Sequence, residues 1–264
     1  ISRIKPNKGT ASRLTTEFPL KENKNGHVSD ILKDMFHINI DAPFIRGSAF
    51  RQKTNMTENG FYRCGVIQDS DAFLRCLDMI HCTNKFSDKV KTSRQSAKFE
   101  IKKMIIHDLM NMTDDEVFLI GDGSFVQFFR PEESYTKKRF DKELINDVKN
   151  IFKNYLYSNE PNDERLLIPL LMKISENETN KTFGGIKLNI LVLCEENEKI
   201  KIVEPYGKLQ IFKNEPFALI YKNGDIYESL IYLYYSKGYG YLFHEKDNSE
   251  IKKNDVIYIQ NEPA

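Results

Sequence analysis

The second half of the sequence has the pattern of several short β-strands, and this pattern constrains the fold most. From Gly185 onwards, short runs rich in Ile, Leu, Tyr and Phe are separated by turn residues. The Asn223-Gly224 pair predicts a tight hairpin, and Thr113-Asp-Asp-Glu predicts a capping box that opens a short helix. The predicted strands are 186–194, 199–203, 217–221 and 226–235, and helical periodicity covers 27–36, 72–82, 96–112 and 141–157. We therefore predict an α+β fold, with helices in the first half and a mostly antiparallel sheet in the second half.

Size and charge narrow the class of protein. A chain of 264 residues can bury a hydrophobic core without the added stability of disulfide bonds or a structural metal ion. Its 39 Lys and Arg residues nearly balance 38 Asp and Glu residues, which disfavours a protein that coats nucleic acid through overall charge. The four cysteines form no CxxC pair and predict reduced thiols. We predict no cofactor, no metal site and no membrane partner.

Domain organisation follows from where the apolar residues begin. Residues 1–26 carry several Lys and Arg residues and few large apolar side chains, so they predict a basic N-terminal arm. We predict a single α+β domain over residues 27–264. This range contains no internal repeat and no low-complexity tract.

The segment 60–82 contains a turn that leads into an amphipathic helix. Apolar residues 61–67 are followed by the turn formers Asp69, Ser70 and Asp71, and a helical apolar pattern follows. The N-terminus of a helix stabilises a thiolate and can hold an oxyanion. This turn is therefore the first place to look for a nucleophile.

The run from Asp69 to Leu77 resembles the nucleophile motif of ovarian-tumour-type (OTU) cysteine proteases, roughly Asp-Gly-Asn-Cys-Leu-Phe-Arg-Ala-Leu. The cysteine position falls on Ala72, which has no nucleophilic atom. That family also carries a His-Tyr-acidic strand, where this chain has Ile226-Tyr227-Glu228. The resemblance implies a papain-related, OTU-like scaffold without its catalytic residues. The predicted degenerate site comprises Asp69, Ser70, Asp71, Ala72, Ile226, Tyr227 and Glu228.

Further blocks resemble the large early transcription factor subunits of nucleocytoplasmic large DNA viruses. They are the run 61–76, with its Arg-x-Gly-Val-x-Gln pattern, the strand 188–193 and the run 226–232. This chain has Ala72 where that family tends to have Ser, and Ser229 where it tends to have Pro. The resemblance implies a transcription protein that is packaged in the virion and works in the host cytoplasm, at the viral factory.

A basic stretch at 85–103 is the candidate for nucleic-acid contact. Its lysines and its arginine can bind phosphates, and the interleaved rings of Phe86 and Phe99 can stack on bases. A solvated helix face and loop is the alternative. The candidate residues are Lys85, Lys89, Lys91, Arg94 and Lys98.

Together these features predict a non-catalytic OTU-like module of a viral transcription-initiation factor or virion protein. The expected partners are other viral transcription or virion proteins, with DNA and a ubiquitin or peptide segment as further candidates. One alternative is an OTU-type deubiquitinating cysteine protease whose nucleophile is replaced at Ala72, with His244 as a displaced base. Another is a structural virion protein that uses a tyrosine patch at 232–241 as its contact surface.

Overall fold

The computed structural model describes residues 18–22, 24–35, 60–84, 100–131, 142–208, 210–234, 238–240, 242–245 and 257–259. The helices are α1 Asp30–Met35, α2 Ala72–Asn84, α3 Ile101–Asn111, α4 Asp114–Leu119, α5 Ser124–Phe128, α6 Lys142–Leu156 and α7 Glu164–Ser175, with a 3-10 turn at Ile120–Gly123. The strands are β1 Asn25–His27, β2 Gly60–Gly65, β3 Asn189–Glu196, β4 Lys199–Ile202, β5 Phe217–Asn223, β6 Ile226–Tyr234, β7 Gly238–Gly240, β8 Leu242–Glu245 and β9 Ile257–Ile259.

The described strands form one mixed sheet with the order β1-β2-β6-β5-β3-β4. Strand β7 pairs with β6, β8 with β5, and β9 with β8. The pairs are antiparallel except for β3 with β5 and β8 with β9. The mixed α+β class and the mostly antiparallel sheet agree with the sequence prediction.

The predicted division into a helical first half and a strand-forming second half is not confirmed. Strand β2, from the first half, lies inside the sheet between β1 and β6. Helices α6 and α7 lie in the second half. The physical reason is that β6 needs a hydrogen-bonding partner on its second edge, and β2 pairs with six of its residues.

Both faces of the sheet are buried. On one face, which we call the helix face, β3, β5 and β6 contribute Ile190, Ile220 and Tyr227 to a core shared with α2, α3, α6 and α7. On the opposite face, Leu193, Leu219 and Leu230 join a smaller cluster with Val28 and with Leu32 of α1. Double burial explains why β3 and β5 have continuous apolar runs rather than a clean alternation.

Several local predictions are confirmed. The hairpin pairs Asn223 with Ile226, and Gly224 has the positive φ of 59° that this tight turn favours. A capping box between Thr113 and Glu116 opens α4. Helices α1, α3 and α6 fall inside the predicted ranges.

Helix α7 was not predicted from the sequence, and Pro169 lies inside it. An internal proline removes one helix hydrogen bond and normally argues against a helix. Here the side chain of Asp163 caps the N-terminus by accepting from Arg165 N–H, and most of the helix is buried. Burial of nine of its twelve residues outweighs the local cost of the proline.

The packed domain extends further towards the N-terminus than the predicted boundary at residue 27. Leu20 is buried, and Asn25–His27 pairs with β2 as strand β1. Residues 1–17 of the predicted basic arm lie outside the described residues. In the part of the chain that the structure describes, no helix has the length and apolar content to cross a bilayer.

Candidate functional site

The turn before α2 is fixed by Asp69. Its carboxylate accepts a hydrogen bond from the N–H of Asp71 at 3.0 Å. It also accepts a bidentate pair of hydrogen bonds from Arg75, from Nε to Oδ1 at 3.0 Å and from Nη2 to Oδ2 at 2.6 Å. The hydrogen bond from Arg75 lowers the pKa of Asp69. The turn that precedes α2 is therefore held in place by an ionised carboxylate.

This turn lies beside the first residues of β6. The amide of Gln68 forms two hydrogen bonds to the backbone of Tyr227, one from Nε2 to O at 2.7 Å and one from N to Oε1 at 3.0 Å. The rings of Phe73 and Tyr227 meet edge-on, with centroids 6.0 Å apart. We call this region, residues 68–73 with 226–227, the α2–β6 junction.

The junction holds Ala72 where a nucleophile was considered. Ala72 is buried in the helix-face core. Ile226 is half-buried, and strand alternation directs it to the face opposite Tyr227 and α2. The structure thus brings the two predicted segments together, but it does not direct Ile226 towards Ala72. That these segments are a former catalytic pocket stays a prediction.

Glu228 lies away from the junction, on the opposite face of the sheet. It accepts hydrogen bonds from Arg63 Nη1 at 2.5 Å and from the N–H of Leu20 at 2.7 Å. Burial raises the pKa of Glu228, although Arg63 and the Leu20 N–H act against that shift. Its observed contacts hold the N-terminal segment to the sheet.

Asn162 joins the turn to the start of α7. Its backbone N–H and its Nδ2 both donate to the carbonyl of Ser70, at 3.0 and 2.9 Å, and Nδ2 also donates to Asp71 Oδ1 at 2.7 Å. Asp71 Oδ1 also lies 2.5 Å from Lys102 Nζ. Asn162 Oδ1 is buried and, within the described part of the chain, has no hydrogen-bond partner.

Lys102 belongs to the stretch 85–103 that the sequence marks as basic. The structure buries most of it and pairs it with Asp71, so its charge is used inside the fold. The DNA-contact candidates Lys85, Lys89, Lys91, Arg94 and Lys98 lie outside the described residues. The side chains of the tyrosine patch also lie outside what the structure describes.

A second polar network lies next to the junction, around Glu164 at the start of α7. Tyr227 OH donates to Glu164 Oε2 at 2.7 Å, and Lys222 Nζ contacts Oε1. Burial acts to raise the pKa of Glu164, but the hydrogen bonds from Lys222 and Tyr227 outweigh it and the pKa is lowered. Burial and the bond to Glu164 raise the pKa of Tyr227. The network holds a carboxylate, an ammonium and a neutral phenol.

Cys64, Cys76 and Cys194 are buried, and none of the three forms a disulfide bond within the described part of the chain. Cys64 and Cys76 lie in the helix-face core, and burial raises the pKa of Cys76 and of Cys194. Such thiols are poor nucleophiles because they resist ionisation. The side chain of Cys82 lies outside the described residues.

His244 does not lie near the junction. Strand register places Phe243 beside Phe217 at the start of β5, whereas the junction adjoins Lys222 near its end. Five residues of strand span about 16 Å. The hypothesis that His244 is a displaced base for position 72 is therefore wrong.

The sequence alone did not mark Asn162, Glu164, Lys222 or Lys102 as part of this region. A partial signal was present, because Asn162-Asp163-Glu164 directly precedes an apolar run and is typical of a helix start. Across the described residues, no cluster of three or more His, Cys, Asp or Glu side chains is arranged to hold a metal ion.

Among known proteins, the chain has a structural likeness but no family match. No family model and no curated protein matches the chain. The fold is similar to that of the viral OTU domain protease from Farallon virus, with a TM-score of 0.38 and 10% sequence identity over 66% of this chain and 85% of that chain.

Proposed function

We propose that this chain is a non-catalytic, OTU-like module that binds protein partners. The observation that carries the proposal is Ala72 at the N-terminus of α2, the position that the motif assigns to a cysteine nucleophile. A methyl group cannot form an acyl-enzyme, and the turn around it is tied to α3, α7 and β6 by contacts among the protein's own side chains.

The two described thiols that share a core cluster with Ala72 support the same proposal. Cys64 and Cys76 are buried in the core behind the junction. A thiol that acts as a nucleophile must ionise and reach solvent, and the raised pKa of Cys76 opposes the first requirement. Neither cysteine supplies the group that Ala72 lacks.

In its finer form, the proposal assigns the module to a viral transcription-initiation factor or virion protein. The sequence blocks at 61–76, 188–193 and 226–232 support this assignment. Under this proposal the partners are other viral transcription or virion proteins, in the virion and at the cytoplasmic viral factory. DNA contact through Lys89, Lys91 and Arg94 is part of the same proposal.

An activity assay tests the non-catalytic claim. The purified chain is incubated with diubiquitin and, separately, with ubiquitin carrying a C-terminal electrophile, alongside the Ala72→Cys variant. We expect no cleavage and no covalent adduct for either protein, because Ile226 supplies no base. An active OTU protease and its Cys→Ala variant serve as controls for the reagents. Cleavage by the natural chain, or an adduct on Ala72→Cys, would overturn the claim.

A separate binding assay tests the DNA claim. Fluorescence anisotropy with labelled duplex DNA is measured from low to physiological salt for the natural chain and for a Lys89→Ala, Lys91→Ala, Arg94→Ala triple variant. We expect affinity that falls as salt rises and a weaker salt dependence in the variant. No binding at low salt would remove DNA from the proposal and leave the protein partners in place.

A further inference from the structure

An open apolar cavity lies between α4 and α5, bordered by the 3-10 turn. Its volume is about 460 Å³, and it is lined by Phe118, Leu119, Asp122, Gly123, Val126 and Gln127. Leu119 is 64% exposed and Phe128, on α5, is 55% exposed, which makes them the most exposed large apolar side chains among the described residues. We call these residues, with Asp115, the α4–α5 patch.

The 3-10 turn that borders the cavity is closely packed against the loop that contains Tyr206. Gly121, Asp122 and Gly123 all have positive φ, at 56°, 53° and 87°. A Cβ on Gly121 would lie 2.7 Å from the carbonyl oxygen of Tyr206, so the turn is packed closely against that loop. The ring of Tyr206 stacks on Phe128 on one side and contacts the Arg165 guanidinium at 4.4 Å. The cavity is therefore formed before any partner arrives, which lowers the entropic cost of binding.

The one charged residue that lines this cavity is a carboxylate, Asp122, and no Lys or Arg is among the lining residues. Arg165 contacts the ring of Tyr206 next to Phe128, so the acidic rim consists of Asp115 and Asp122 alone. Asp115 is exposed one helical turn before Leu119, and Asp122 is exposed and lines the cavity. Asp122 accepts the backbone N–H of Lys208 at 3.1 Å, a contact that leaves its charge on the rim. Exposed apolar surface inside an acidic rim complements a positively charged amphipathic partner.

We propose that the α4–α5 patch docks a cationic amphipathic segment of a partner protein. An apolar side chain of that segment fills the cavity against Leu119 and Val126, and its Lys or Arg residues lie against Asp115 and Asp122. This site is separate from the α2–β6 junction and does not depend on whether the junction is catalytic.

Selection from a random peptide library tests the proposal. A phage-displayed 12-residue library is panned on the immobilised full chain at low salt and counter-selected on a Leu119→Glu, Phe128→Ser variant. We expect enriched peptides that combine large apolar residues with Lys or Arg. Recovery of the same peptides on the variant, or enrichment of acidic or uncharged peptides, would overturn the proposal.

Affinity measurements then separate the apolar and charged contributions. The most enriched peptide is labelled and its binding is followed by anisotropy. We expect Asp115→Asn with Asp122→Asn to weaken binding by about 10-fold at low salt and to reduce the salt dependence. Asparagine tolerates the left-handed backbone at position 122, so this variant keeps the turn. Ile211→Ser, at another exposed apolar residue, is the matched control and should bind as the natural chain does.

Two further results would contradict the proposal. One is unchanged affinity in the Asp115→Asn, Asp122→Asn variant, because charge would then play no part. The other is a concentration-dependent dimer in sedimentation that Leu119→Glu abolishes, because a second copy of the chain would then cover the patch. Urea unfolding of each variant confirms that it is folded before binding is compared.

Discussion

Two buried carboxylates, Glu164 and Glu228, lie on opposite faces of the central sheet. Their pKa values are shifted in opposite directions. Glu164, on the helix face, has a lowered pKa because hydrogen bonds from Lys222 and Tyr227 outweigh its burial. Glu228, on the other face, has a raised pKa because burial outweighs its contacts with Arg63 and the Leu20 N–H. Each carboxylate is paired with a cation, so the presence of a cation does not decide the direction.

The difference shows what each region is built to do. Glu164 opens α7, where the helix dipole and a phenol add to the ammonium, so its charge is well stabilised. Glu228 is fully buried, and with Arg63 it holds the N-terminal segment, with Arg63 Nε donating to the carbonyl of His27 at 2.6 Å. The first network supports the α2–β6 junction, and the second fastens the strand at the edge of the sheet.

The largest expected effect is loss of Glu228. Glu228→Ala removes the carboxylate that pairs with the buried Arg63 guanidinium, whose side chain is 6% exposed. We expect the free energy of unfolding to fall by about 3–5 kcal/mol. Urea denaturation at pH 7 measures it, and Lys201→Ala, which breaks an exposed pair, is the control and should change little. A loss below 1 kcal/mol would show that Arg63 reaches solvent.

Glu164→Ala should cost less than Glu228→Ala. Lys222 is 19% exposed at its side chain, so it can turn towards water when its partner is removed. We expect a loss of about 1–3 kcal/mol in the same denaturation experiment. An equal or larger loss than in Glu228→Ala would contradict the view that the two networks differ in how well they are desolvated.

Removing the phenol alone tests the role of Tyr227. Tyr227→Phe deletes one hydrogen bond to an ionised carboxylate. We expect the free energy of unfolding to fall by about 1.5 kcal/mol, the lower end of the range for such a bond. Tyr221→Phe, which removes a less buried bond to Glu195, is the matched variant and should cost less. If both variants lose the same stability, burial of the Glu164 network adds nothing.

The pH dependence of stability should separate the two carboxylates by sign. An unperturbed glutamate has a pKa of 4.5. The contribution of Glu164 is present above pH 4.5 and is lost as pH falls through its lowered folded pKa. The proton-linked part of the Glu228 contribution is fully present below pH 4.5 and is lost as pH rises through its raised folded pKa, whereas its pairing with Arg63 remains.

Urea denaturation of Glu164→Gln and Glu228→Gln across pH 3 to 7 checks this expectation. The stability advantage of the natural chain over Glu164→Gln should shrink as pH falls below 4.5. Relative to Glu228→Gln, the natural chain should gain stability as pH falls towards 4.5. Parallel curves for both variants would contradict the opposite pKa directions.

The smallest expected effect is at Asn162. Asn162→Ala loses the two side-chain bonds to Ser70 and Asp71 but keeps the backbone bond to Ser70. It also removes a buried oxygen that has no described partner, so part of the lost stability is recovered. We expect a net change of about 1 kcal/mol, measured by thermal unfolding. Asn177→Ala, near an exposed turn, is the control.

Local patterns in the sequence predicted local structure well. The Asn223-Gly224 hairpin, the capping box at Thr113 and helices α1, α3 and α6 follow from residues that are neighbours along the chain. The same logic did not predict α7, where Pro169 lies inside a helix that tertiary burial stabilises. It also failed to foresee the parallel pairing of β3 with β5, because register between distant strands is not a local property.

The candidate site divides in the same way. The sequence by itself determined that Ala72 stands at the start of a helix and that Ile226-Tyr227-Glu228 opens a strand, because capping and alternation depend on adjacent residues. Tertiary structure alone decided that Gln68 bonds to Tyr227, that Asn162 and Lys102 close on Asp71, and that Glu228 faces away. These contacts join residues far apart in sequence, and the balance between burial and hydrogen bonding that forms them has no signature in the linear chain.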